Sequence, residues 1–264
     1  MGANVNIWHV MSSMRSVNKW QDNINANING ALRVGFRESD VMFGGGRDSY
    51  IKAAPRADSA GTQIGEQTIS ISHSFLNWKQ GEVIRTGNDL DFAIQGSGMF
   101  MVSKNPTNPT PSEILYTRDG QFHIEGATGR LATNDGYYVL GNSNVFGGLS
   151  AVTVPAGSDA FTDIVSNNKI RFAMFQTLDQ LQYSKELGAT YFENPTGQLD
   201  PTVSLPDDTA SASGRLATRS LEGANVNINK QIASLSYSKQ LFESLTKQLT
   251  VYFANFDVGL NLIK

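Results

Sequence analysis

The chain has 264 residues, a net charge of −3 and only 17% charged side chains, with 25 glycines and no cysteine. Its lysines and arginines are scattered, so no basic stripe is available for a phosphate backbone and nucleic acid is excluded as a partner. Without thiols there are no disulfides, thiolate metal sites or thiol catalysis, and a length above the ~100–150 residues of a typical domain allows one large domain or two smaller ones.

The hexapeptide GANVNI stands at residues 2–7 and again at 223–228. After the first copy, Ile7, Val10, Met14, Val17, Ile24 and Ile28 recur at alternating spacings of three and four, with Gln21 in the vacant place. That pattern predicts a helix with a heptad stripe. Asn4 or Asn6 is its candidate N-cap, the side-chain oxygen accepting a free N–H of the first turn. Residues 36–66 hold no sustained period and contain Gly44-Gly45-Gly46, so they read as an extended connector.

From residue 67 to 221 the period is two. ISISHSFL (69–76), DFAIQ (91–95), MFMV (99–102), TVP (153–155) and IRFAMF (170–175) are predicted strands. Two stretches read as hairpins: 116–124 turning at Asp119-Gly120, and 130–140 turning at Asn134-Asp135-Gly136. The body is therefore expected to be β-rich and antiparallel, and GSGMF (96–100) to be a tight turn between strands.

After the second hexapeptide, Ile228, Leu235, Phe242, Leu249, Phe256 and Ile263 stand seven apart, and Ile232, Leu245 and Phe253 widen the stripe. Asn225 or Asn227 is the candidate cap here. A single helix over 228–263 would be about 54 Å long, and its apolar side chains stabilise it only when buried. The nearest cover is the N-terminal helix, paired with it as a coiled coil, and aromatics such as Phe242, Phe253 and Phe256 predict further packing against other copies. The expected fold class is α+β: a coiled-coil inner domain of residues 1–35 and 222–264, the connector 36–66, and a β-rich antiparallel outer domain of 67–221.

No constellation for catalysis or cofactor binding is present in the sequence. His9, His73 and His123 lack metal-ligand spacing, Asp89/Asp91 and Asp207/Asp208 sit in turn-like contexts, and no serine stands in a GxSxG elbow. No apolar run approaches the ~18 residues that span a bilayer, and residues 1–30 lack the basic start and apolar core of a signal peptide. The expectation is a non-enzyme with no cofactor or metal, no membrane insertion and export without a cleaved signal.

The stretches 80–102 and 116–141 resemble the flagellar rod and hook family, the axial proteins of the bacterial flagellum. The first matches at Gln80, Gly81, Thr86, Gly87, Asn88, Leu90, Asp91, Ala93, Ile94, Gly96, Gly98 and Phe100; the second at Tyr116 to Gly120, Phe122, Gly129, Leu131, Asp135, Gly136, Tyr137, Leu140 and Gly141. The ends match more loosely, at Met14, Asn27, Gly35 and Phe36 and at Leu221, Glu222, Asn225 and Val226. ALRVGFR (31–37) and KQLFESL (239–245) depart from the family pattern.

The resemblance implies terminal helices lining a narrow channel, an outer β layer, delivery through the flagellar type III export apparatus, and polymerisation with itself and with other rod and hook subunits. It implies a torque-transmitting axial rod in the periplasm-spanning basal body; the modest length points away from a hook subunit and the long connector towards the distal rod. A proximal rod or hook-like subunit, a non-flagellar extracellular filament of the same build, and a monomeric carbohydrate-binding or hydrolytic β protein are the alternative readings.

Overall fold

The computed structural model describes residues 2–46, 49–51, 62–64, 68–142, 148–155, 157, 159–166, 169–175, 178, 181–184, 187–188, 190–195, 202–204 and 214–261. In chain order the helices and strands are α1 (Gly2–Gly30), β1 (Ser39–Gly46), β2 (Ser49–Ile51), β3 (Thr62–Ile64), β4 (Thr68–Leu76), β5 (Val83–Arg85), β6 (Phe92–Gln95), β7 (Met99–Ser103), β8 (Leu115–Thr117), β9 (Phe122–Glu125), β10 (Arg130–Thr133) and β11 (Tyr138–Asn142). They continue as β12 (Leu149–Ala151), α2 (Ala160–Ser166), β13 (Phe172–Met174), β14 (Gln182–Tyr183), β15 (Tyr191–Glu193), β16 (Thr202–Ser204), β17 (Arg215–Thr218), β18 (Ser220–Glu222) and α3 (Ile228–Asn261). The fold is α+β, with a helix at either end and an antiparallel β body. It divides into two compact units: Met1–Ile28, Ser39–Leu76 and Asn227–Lys264 form one, Asn29–Glu38 and Asn77–Val226 the other.

In the first unit α1 turns Val10, Ser13, Val17, Ile24 and Asn27 inward, the three-and-four rhythm of one helical face. Ile7, Met14 and Ile28 are half-buried beside them. Strands β1 and β4 pair antiparallel from Ser39 opposite Leu76 to Gly46 opposite Thr68, with a bulge between Met42 and Phe43. Ser13 Oγ accepts the Ile69 N–H at 3.0 Å, and the Trp20 ring meets Phe43 edge-on at 5.1 Å. Asn27 acts as a clamp: its Oδ1 accepts the Ser39 N–H at 2.9 Å while its Nδ2 donates to the Ser39 carbonyl at 2.7 Å. Residues 39–46, expected within the connector, and β4, expected in the body, thus group with the helices. Alternation predicts a strand but not its partner, and the glycine run of β1 conceals its own period.

The two copies of GANVNI fold differently. Asn4 and Asn6 do not cap α1, which begins at Gly2 and runs through both; an asparagine inside a helix costs at most about 0.7 kcal/mol relative to alanine, too little to stop it. In the second copy residues 223–227 are a non-helical lead-in and Asn227 is the cap. Its Oδ1 accepts the Lys230 N–H at 3.1 Å and its carbonyl accepts the Gln231 N–H at 3.0 Å. Ile263 lies outside the described residues, as do Asp207 and Asp208.

The second unit is built on a ten-stranded sheet whose main path runs β14-β15-β8-β7-β11-β10-β9, with β12 on β11 and β13 between β7 and β16. Phe92, Ile94, Phe100, Val102, Phe122, Leu131, Val139, Ile164 and Phe172 fill its core, with the Phe100 ring edge-on to Phe122 at 5.2 Å and to Phe172 at 5.8 Å. The 130–140 hairpin forms, Ala132 facing Tyr138 across β10 and β11. The 116–124 hairpin does not: β8 pairs with β7 and β15, and β9 with β10. Gly120 shows why, because its carbonyl accepts the Phe92 N–H at 3.0 Å and a Cβ on it would lie 1.6 Å from the Phe92 carbonyl. The turn residues there mark a close crossing of two chains. Residues 153–155 are likewise no strand; Thr153 makes a single bridge to Arg130, and the strand is β12.

Candidate functional site

The described polar chemistry concentrates where the segments adjoining the two long helices in sequence, 29–38 and 222–226, meet the body. Glu222 ends β18 fully buried between two arginines. Its Oε1 accepts Arg37 Nη2 at 2.8 Å and the Gly81 N–H at 2.9 Å, and its Oε2 accepts Arg118 Nη1 at 2.8 Å. The Gly35 N–H donates to the Glu222 carbonyl at 2.7 Å. Arg37 Nη1 donates to the Lys79 carbonyl at 2.7 Å, and Arg118 Nη1 and Nη2 donate to the Ile94 and Gly96 carbonyls at 3.2 and 2.7 Å. Gln80 closes the rim, donating to the Ile94 carbonyl and accepting the Gly96 N–H. Gly96 has a φ of 99°, a left-handed conformation that strains any residue with a Cβ.

Asn225 fastens the same region. Its Oδ1 accepts the Glu38 N–H at 2.6 Å, and its Nδ2 donates to the Asn77 and Lys79 carbonyls at 2.6 and 2.9 Å. The side chain expected as a helix cap instead stitches three strips of backbone. Burial, opposed by Glu222 and reinforced by Arg37, pulls the Arg118 guanidinium below its usual value. Breaking one side of such a buried pair costs about 3–5 kcal/mol, because the remaining charge is left in a low-dielectric interior.

The residues of the family motif fall into separate places. Asn88 Nδ2 donates to Asp91 Oδ1 at 3.0 Å, next to Gly87 on an open surface. Gly96 and Gly98 border the ion cluster. Asp119 and Gly120 form the crossing beneath Phe92, and Gly136 turns the β10–β11 hairpin while Asp135 accepts the Tyr191 hydroxyl at 2.8 Å. Burial pushes the Asp119 carboxyl up to about 6, the Gln121 N–H pulling it back and Asp135 and Asp91 adding repulsion. Sequence reasoning assigned no role to Arg37, Arg118 or Glu222. The available signal was that Arg118 and Glu222 fall at positions matching the flagellar rod and hook family.

The helix stripes divide by exposure. On α3, Leu235, Phe242, Leu245 and Leu249 are half-buried, and the most deeply buried described positions are the polar Gln231 and Ser238. Ile228, Ile232, Phe253 and Phe256 are 44%, 53%, 51% and 47% exposed, and Trp8 on α1 is 65% exposed. Among the described residues no helix is long and apolar enough to cross a membrane.

Long terminal helices that turn apolar side chains to solvent, and a β body cross-braced by a buried ion cluster, are features of a structural assembly subunit. Residues 93–168 match the model of the flagellar hook protein FlgE/F/G D1 domain. The chain is 29% identical over 198 residues to the flagellar basal-body rod protein FlgG of Agrobacterium fabrum, covering 73% of this chain and 71% of that one. It is 28% identical over 246 residues to the flagellar basal-body rod protein FlgF of Rhizobium meliloti, covering 91% and 90%, and 28% identical over 140 residues to the flagellar hook protein FlgE of Helicobacter mustelae, covering 51% and 30%. The chain is thus similar to flagellar rod and hook proteins, a likeness that supports a flagellar axial structural subunit.

Proposed function

We propose that the chain polymerises into the axial rod of the flagellar basal body, in its distal part, and carries torque from motor to hook, reaching its place through the flagellar type III export apparatus. Rod is favoured over hook because the rod relatives align along most of their length, whereas the hook relative aligns over 30% of its own. The observation that carries the reading is the exposed apolar pair Ile228 and Ile232 at the start of α3 and the exposed pair Phe253 and Phe256 near its end, which water does not stabilise and a neighbouring copy would cover. Repeating one head-to-tail contact that does not close on itself generates a helical filament, with α1 and α3 as a coiled-coil inner layer.

Phe242 and Leu249 already pack within their own subunit, so Phe253 and Phe256 are the cleaner probes of assembly. The double variant Phe253→Asp/Phe256→Asp is expected to keep the near-ultraviolet circular dichroism of the β body and to lose filaments in electron micrographs of concentrated protein. Filaments of normal length from this variant would overturn the reading.

A further inference from the structure

The two exposed apolar pairs of α3 stand at opposite ends of the helix but on one side of it. A helix rotates about 100° per residue, so Ile228, Ile232, Lys239, Phe253 and Asp257 fall within about 60° of one another around the axis, with Phe256 bordering them. All six are exposed. Between the ends that side is polar: Thr246 and Thr250 lie on it, their hydroxyls donating to the Phe242 and Thr246 carbonyls of the same helix. Ile232 and Phe253 are 21 residues apart, about 32 Å along the axis, so the aliphatic and aromatic ends cannot cover each other within one chain. Lys239 lies near the first and Asp257 beside the second, opposite in sign, and neither makes an ion pair among the described residues.

We propose that the end of α3 in one copy packs on the start of α3 in a second copy, Phe253 and Phe256 against Ile228 and Ile232. The partner is another copy because the chain itself carries both matching surfaces, alike in apolar character and opposite in charge. The charges also set the direction. With the two segments parallel and Phe253 level with Ile232, Asp257 comes within one helical turn of Lys239; antiparallel, the two charges would be about three turns apart. A parallel, offset contact is heterologous, so each copy keeps one half free for the next. The inference rests on the assembly reading above and names the two halves of its contact.

The chain has no cysteine, so introduced thiols report the contact directly. The full-chain double variant Ile232→Cys/Phe253→Cys, oxidised at high concentration, is expected to give a ladder of disulfide-linked multimers on a non-reducing gel. The single variants Ile232→Cys and Phe253→Cys, mixed, are expected to link as dimers only, and Thr246→Cys/Phe253→Cys is expected not to link. A charge exchange tests the same contact without touching the apolar residues. Lys239→Glu is expected to raise the critical concentration for filaments about two- to fivefold, and Asp257→Lys in the same chain to restore it. Absence of linkage in the double variant, linkage that stops at dimers, or no rescue by the charge exchange would overturn the proposal. Unlinked filaments count against this contact alone, and linked multimers that never become filaments count against the rod reading alone.

Discussion

At Asp119 two demands oppose each other. Its Oδ1 accepts the Gln121 N–H at 3.0 Å and shapes the crossing under Phe92, while burial pushes its ionisation up to about 6, with Asp135 and Asp91 adding repulsion. The folded value lies above the unfolded value of about 3.9, so protonation favours the fold. That contribution is complete below about pH 4 and is lost as the pH rises through 6. Asp119→Asn keeps the acceptor and removes the titration. It is expected to exceed the parent in stability by about 1–3 kcal/mol at pH 7 and to converge with it below about pH 4, as read by urea unfolding from pH 4 to 8. A variant that keeps the parent's slope across that range would acquit this carboxyl.

At the scale of elements, Asn227 fixes where α3 begins. Its side chain satisfies the Lys230 N–H, one of the four free donors of the first turn. Asn227→Ala is expected to destabilise the helix by about 1 kcal/mol, and Asn227→Gly by a few tenths; thermal melts followed by the helical circular dichroism signal at 222 nm would show the difference, and equal loss from both would point to packing instead of capping. This cap was legible in the sequence, as was the inward face of α1, because a local hydrogen bond and a three-and-four rhythm are written in adjacent residues. What depends on distant residues was not. Asp119-Gly120 carries a hairpin's residues, yet Gly120 is small because Phe92 crosses it, a contact between positions 28 apart in sequence. Asn225 reads as a candidate cap of α3 and instead stitches the strips at 36–38 and 77–79. The ion cluster joins Arg37, Arg118 and Glu222 from three remote segments, and no local period announces it.

For the whole molecule, α3 sets the terms. Its 34 residues extend about 51 Å, and from Val251 to Asp257 every described side chain but Tyr252 is exposed. A helix in that condition holds by its own backbone hydrogen bonds, which are marginal over a few turns in water. The half from Gln231 to Leu249 has buried or half-buried side chains about every third or fourth residue, so tertiary burial supports it. Amide hydrogen exchange in the dilute chain is therefore expected to be slow over 231–245 and fast over 251–261, since local opening costs least where burial is least. Raising the concentration until filaments form is expected to slow exchange over 251–261 with little change in the β core, because only the first of these gains a new apolar neighbour. If 251–261 is already as protected in the dilute chain as β7 and β11, the exposed row needs no partner, and the physical reason for stacking copies along these helices is removed.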